Sequence, residues 1–209
     1  MFDLEVISPI LLWTAIAVYA AAFVAFAFDL ARRSQLSADA ASVREFELVG
    51  AGAGSRGAKS ASASGSDAAP QRFVMARIGT SLTVLAFIFH LGATVTRGLA
   101  AGRVPWANLY EFAMMGTLLI VAVFLVVLTR IDLRFLGTFI TGLVVVLLGL
   151  SATNFYVDVS PLMDPLKSVW LVIHVFVASL GTAFFALAFA LSVIQLMQSR
   201  RERLISEGA

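Results

Sequence analysis

Apolar residues along this chain gather into long unbroken runs rather than alternating with polar ones. Five such runs lie at about 7–30, 74–97, 106–129, 133–152 and 166–198. Each supplies the roughly 20 mainly apolar residues that a helix needs to cross a hydrocarbon core of about 30 Å. The pattern therefore predicts an all-α integral membrane protein, a bundle of about five transmembrane helices, the last long enough to project beyond the bilayer. The lack of an alternating strand pattern speaks against a membrane β-barrel. Between the first two runs, the stretch from Val49 to Pro70 is almost entirely Gly, Ala and Ser with scattered charge. Such a composition cannot bury enough apolar surface to offset the entropy of ordering it, which predicts a disordered tether. The resulting division is a first transmembrane helix over 1–33, a cytoplasmic Gly/Ala/Ser-rich linker over 34–73, a four-helix membrane region over 74–198 and a cytoplasmic tail over 199–209.

Composition agrees with that pattern. The 209 residues are 60% hydrophobic and 13% charged, against about 45–50% and about 25% in soluble domains. The acidic start (Asp3, Glu5) and the long first run read as a retained span rather than a cleaved signal peptide. Charge then orients the spans. Arg32, Arg33, Arg44, Arg56, Lys59, Arg72 and Arg77 flank or occupy the linker, Arg130 and Arg134 follow the third run, and Arg200, Arg201 and Arg203 occupy the tail. All of these fall on one side of a five-span arrangement, whereas Arg97, Arg103 and Lys167 fall on the other. The positive-inside tendency makes the richer side cytoplasmic, so the N-terminus is expected outside and the C-terminus inside. The net charge of +2 and pI near 9.4 thus belong to orientation in the bilayer and do not point to nucleic acid. Trp13, Trp106 and Trp170 all land near predicted outer helix ends, as members of an interfacial aromatic belt do. The absence of cysteine excludes a disulfide, a thiolate metal site and thiol redox chemistry by this chain.

Ionisable residues at membrane depth are costly, so the few that occur here are the candidates for chemistry. His174 lies nine residues past Pro165, roughly 13 Å along the last helix at about 1.5 Å per residue. Trp170, His174, Ala178 and Gly181 share one helical face, where small residues beside an imidazole leave room either for a flat ligand or for a neighbouring helix. His90, seven residues before Arg97, sits at similar depth. The two imidazoles either ligate one haem iron together or make separate hydrogen bonds within the bundle. Glu111 follows Pro105-Trp106-Ala107-Asn108-Leu109-Tyr110. Asn108 is placed to cap the third helix with Glu111 three residues later, in a capping-box arrangement. The alternative is a polar cluster at the outer face that contacts substrate or pairs Glu111 with Arg97 or Arg103. No phosphate-cradling loop, zinc-ligand cluster or nucleophile motif occurs, and no catalytic residue is assigned.

Two segments carry a family resemblance. Residues 97–112, Arg-Gly-Leu-Ala-Ala-Gly-Arg-Val-Pro-Trp-Ala-Asn-Leu-Tyr-Glu-Phe, resemble the Gly-x-x-Pro-x-x-Asn-x-Tyr-Glu segment of the CcsA/ResC proteins of system II cytochrome c biogenesis, whose actinobacterial members are often labelled CcsB. Ser168-Val-Trp-Leu-Val-Ile-His-Val175 resembles that family's segment around Trp-Leu-x-Ile-His-Val. The resemblance implies a membrane subunit of a cytochrome c synthase, handling haem b and presenting it at the outer face for covalent attachment to apocytochrome c, in company with a ResB-type membrane partner. It also implies that His174 is a haem axial ligand with Trp170 as a candidate haem contact, while Asn108, Tyr110 and Glu111 match the motif before the third helix. His90 matches no family ligand.

Two departures stand out. Arg103 follows Gly102 where many relatives have histidine, and the family's Trp-Gly-x-x-Trp-x-Trp-Asp haem motif is absent. The resemblance spans helices two to five, so the chain is expected to be the N-terminal part only of a full member, truncated before the Trp-rich motif. On that expectation the chain alone binds haem weakly or not at all and is inactive by itself. Two other classes remain open: a membrane scaffold or assembly subunit without cofactor chemistry, and a small transporter component.

Overall fold

In a computed structural model, the backbone is described for residues 4–51, 68–160 and 167–206, and side chains for 4–36, 74–160 and 167–206. Five helices follow in order: α1 (Leu4–Ala51), α2 (Ala68–Ala101), α3 (Leu109–Leu128), α4 (Gly137–Asn154) and α5 (Val169–Ser206). A 3-10 turn at Arg134–Leu136 leads into α4. Each helix contains a stretch long and apolar enough to cross a membrane, so the chain is a multi-span, all-α membrane protein. The helices outrun the apolar runs of the sequence: α1 continues past residue 30 to Ala51, and α5 runs on to Ser206 through the segment expected as a tail. Residues 52–67, the greater part of the Val49–Pro70 stretch expected as a disordered tether, lie outside the described residues.

α1 packs against α2 and α4, and α5 packs mainly on α3. The α1–α2 pair is antiparallel. Ser8 Oγ donates to the Ala93 carbonyl (2.9 Å) near one end, Tyr19 meets His90 midway, and Phe26 lies over Gly79 toward the other end. Phe26 is buried and reaches two helices at once. A Cβ placed on Gly79 would stand 2.9 Å from its ring, and one on Gly137 would stand 2.7 Å from it. Phe23 sits over Gly142 in the same way, at 2.9 Å. Lipid tails are as apolar as the side chains, so helices in a membrane associate through close packing, which small residues permit. On α5 the buried face is Ser179, Ala183, Leu187 and Ala190, again mostly small and at helical spacing.

A buried Arg-Glu-Arg cluster and the exposed His174 face

The cluster is assembled by two helix ends that meet. α2 stops in a Schellman turn: the Gly102 N–H donates to the Leu99 carbonyl (3.3 Å) and the Arg103 N–H to the Gly98 carbonyl (3.2 Å). Gly102 closes this turn in the left-handed region (φ 62°), where a side chain would be strained. A Cβ on Gly98 would stand 3.3 Å from both the Arg103 carbonyl oxygen and the Pro105 ring, so the chain reverses closely over α2. α3 begins at Leu109 behind an Asn108 N-cap, whose Oδ1 accepts from the Glu111 N–H (2.8 Å). The Glu111 carboxylate reaches back past the cap to accept from the Ala107 N–H (2.9 Å). A capping box would return to Asn108 itself, so the observed turn reaches one residue further.

The remaining lone pairs of Glu111 receive two guanidiniums. Arg97 Nε donates to Oε1 (3.1 Å), Arg103 Nη1 donates to Oε2 (2.8 Å), and Arg103 Nη2 makes a longer contact with Oε1 (3.4 Å). The Arg97 and Glu111 side chains are 1% and 0% exposed, and that of Arg103 12%. Removing charges from water is costly, and such a pair holds only where good geometry and further hydrogen bonds satisfy both partners. Here Arg97 Nη2 also donates to the Val157 carbonyl and Arg103 Nη2 to the Ser160 carbonyl (3.1 Å), which ties the segment after α4 onto the cluster. The Arg97 guanidinium carbon lies 5.4 Å from the Tyr110 ring centre and 5.9 Å from that of Tyr156, within cation–π range. The two rings meet edge to face at 5.3 Å. Both sequence readings of Glu111 are thus combined: its backbone is capped by Asn108, and its carboxylate pairs with Arg97 and Arg103. Among the described residues the cluster holds two guanidiniums and one carboxylate, and Arg103 Nε and Asn108 Nδ2 are buried without hydrogen-bond partners.

The two histidines are not brought together. His90 is fully buried, edge to face with Tyr19 at 6.0 Å between ring centres, with its Nδ1 3.5 Å from the Tyr19 hydroxyl. Its Nε2 has no hydrogen-bond partner. An imidazole so enclosed offers a porphyrin no approach. His174 stands instead on the face of α5 that does not pack. It is exposed, as are Ala178 one turn on and Trp170 one turn before, the last at 79%. No group of three or more His, Cys, Asp or Glu side chains that could hold a metal ion occurs among the described residues. Residues 161–166, just before α5, lie outside the described residues.

Sequence reasoning named Glu111 and, as its possible partners, Arg97 and Arg103; it missed the Tyr156 ring and the carbonyls of Val157 and Ser160. An arginine at the polar end of an apolar run was the available signal for Arg97. Nothing in the spacing marks residues 156–160, which reach the cluster only through the fold.

Residues 106–207 match the family model described as Cytochrome C assembly protein. No curated protein and no solved structure matches the chain. The position of the match corrects the sequence reading. The resemblance spans helices two to five and implies the N-terminal part only of a family member, whereas the matched stretch is the C-terminal part of this chain and begins at Trp106. α1 and α2 lie outside it, as do Arg97, Gly102 and Arg103, so the motif before α3 straddles its boundary. From the turn before α3 to the end of α5, this five-helix membrane protein is similar to the cytochrome c assembly family, which supports a broad role in CcsA/ResC-type cytochrome c biogenesis.

Proposed function

We propose that the protein is a haem-handling subunit of a c-type cytochrome synthase, with His174 as one axial ligand for haem b at the outer membrane face. The observation that carries this reading is that the matched stretch includes a histidine at membrane depth that α5 leaves exposed and unpacked. Its surroundings fit a flat ligand: Trp170 and Ala178 flank it by one turn each way, and Gly181 adds no side chain. The fit is to a single ligand, because His90, the other of the two histidines, is enclosed. Haem would supply the group that is attached to apocytochrome c, and the chain would supply the surface that holds it.

The orientation completes the proposal. With the N-terminus outside and the C-terminus inside, the Arg97–Glu111 cluster and the start of α5 lie together on the outer side, where a secreted apocytochrome c would be met. Two of the three cationic residues on that side are paired with Glu111, which sharpens the charge asymmetry between the two faces. A ResB-type membrane partner would supply what a single histidine does not.

His174→Ala tests the reading. Since His174 is exposed on α5, the variant is expected to accumulate normally while covalent haem in c-type cytochromes, read by haem staining of the cell, falls to background. Unchanged haem staining with normal accumulation would favour a scaffold instead. The observation behind that second reading is the same unpacked face of α5, where Trp170, Val177 and Phe185 (76% exposed) offer a docking surface for a partner helix.

A further inference from the structure

At the opposite end of the molecule from the Arg97–Glu111 cluster, α5 stands apart from α1 and α4. It packs on α3 and touches α4 only lightly, and a groove of about 480 Å³ opens between the three helices. Its deep part is apolar, lined by Phe23, Phe139, Gly142, Val146 and Val193. A second hollow of about 520 Å³ continues from it, sharing Leu30, Phe135, Ile194 and Met197 and ending at Gln198, Arg201 and Glu202. We propose that this continuous groove binds one anionic phospholipid, with an acyl chain between α1, α4 and α5 and the phosphate on Arg201.

Length selects the occupant. From Phe135 to Val146 the groove follows the start of α4 for about 17 Å at about 1.5 Å per residue. A hydrocarbon core is about 30 Å thick, so the groove matches one leaflet; a partner's transmembrane helix would need the whole thickness. Polarity selects the same occupant. The deep part is apolar and the mouth polar, the order in which a phospholipid presents its own groups. At the mouth, Glu202 accepts from Gln198 Nε2 (3.2 Å), while the Arg201 guanidinium has no acceptor among the described residues. Arg200 and Arg203 add positive charge on the same helical turn, which favours an anionic headgroup. Between the two zones Thr138 lines the groove, its Oγ1 buried and without a hydrogen-bond partner. A hydroxyl at that level is a donor for an ester carbonyl of the lipid's glycerol backbone.

Native mass spectrometry of the full chain released from nanodiscs of mixed phosphatidylglycerol and phosphatidylcholine tests the proposal. One retained phosphatidylglycerol, in preference to phosphatidylcholine, is expected. Arg201→Gln is expected to lower that preference about fivefold, as loss of one basic contact near an anionic headgroup does. Val146→Trp fills the deep part from a position already 64% exposed, so it is expected to abolish retention of either lipid without lowering the unfolding temperature; Val193→Trp repeats the test from α5. Equal retention of the two lipids, or phosphatidylglycerol retention unchanged by these substitutions, would overturn the proposal. So would a polypeptide, rather than lipid, crosslinked from a cysteine placed at Val193.

Discussion

Among the described residues, Glu111 is the one on which most side-chain hydrogen bonds converge. Two guanidiniums and one backbone N–H converge on its carboxylate, and its own N–H is held by Asn108. Removing the carboxylate leaves two arginines facing each other in a buried site, and breaking a buried pair in this way costs about 3–5 kcal/mol. Glu111→Ala is therefore expected to lower the unfolding temperature in detergent far more than Arg103→Gln, whose side chain already reaches solvent. Gly102 gives a second, smaller prediction. A side chain in its left-handed turn costs about 1–2 kcal/mol, so Gly102→Ala should shift unfolding midpoints modestly while helix content by circular dichroism stays the same. At this scale the sequence was partly legible. Asn108 as a cap and Glu111 as a charge partner could be read from short spacings, because capping is local. The meeting of Arg97 with Tyr156 and Val157 could not, because 59 and 60 residues separate them along the chain.

Among the helices, the deciding contacts are between aromatic rings and glycines. Gly137→Ala would drive a methyl group into the Phe26 ring, and overpacking of this kind typically costs about 1–3 kcal/mol. If the clash is the cause, shortening the ring should relieve it. The Gly137→Ala/Phe26→Leu pair is then expected to be less destabilised than the sum of its single variants, measured as a coupling energy from unfolding midpoints. Apolar runs located all five helices because the bilayer demands about 20 such residues from each. They did not locate the ends of α1 and α5. There the helix continues through polar sequence whose Ala, Leu, Glu and Arg favour helix by backbone and rotamer preference rather than by apolarity. Nor did they show which face of α5 packs. Trp170–His174–Ala178 and Ser179–Ala183–Leu187 both have helical spacing, and only the position of α3 separates the exposed face from the buried one.

For the molecule as a whole, orientation is the open and readily testable property. The chain contains no cysteine, so single cysteines can be introduced without background. Val104, beside the cluster, and Ser199, near the end of α5, are both exposed on opposite ends of the bundle. With intact cells and a membrane-impermeant maleimide, Val104→Cys is expected to label and Ser199→Cys to remain unlabelled until the membrane is opened; the reverse pattern would invert the orientation. The number of spans was legible in the sequence because hydrophobic length is a property of whole segments. The arrangement of helices around one another was not, since it depends on which glycine lies under which ring.

The ring of Phe26 also bears on how the molecule is made. Its two seats, Gly79 and Gly137, leave the ribosome at different times, the second roughly 110 residues after Phe26 itself. At about 5–20 residues per second, α1 must wait some 6–20 s in the membrane before α4 is synthesised. During that interval half of its wedge faces lipid or the insertion machinery. The first helix of this protein can enter the bilayer early, but it can be locked in place only once the fourth has been translated.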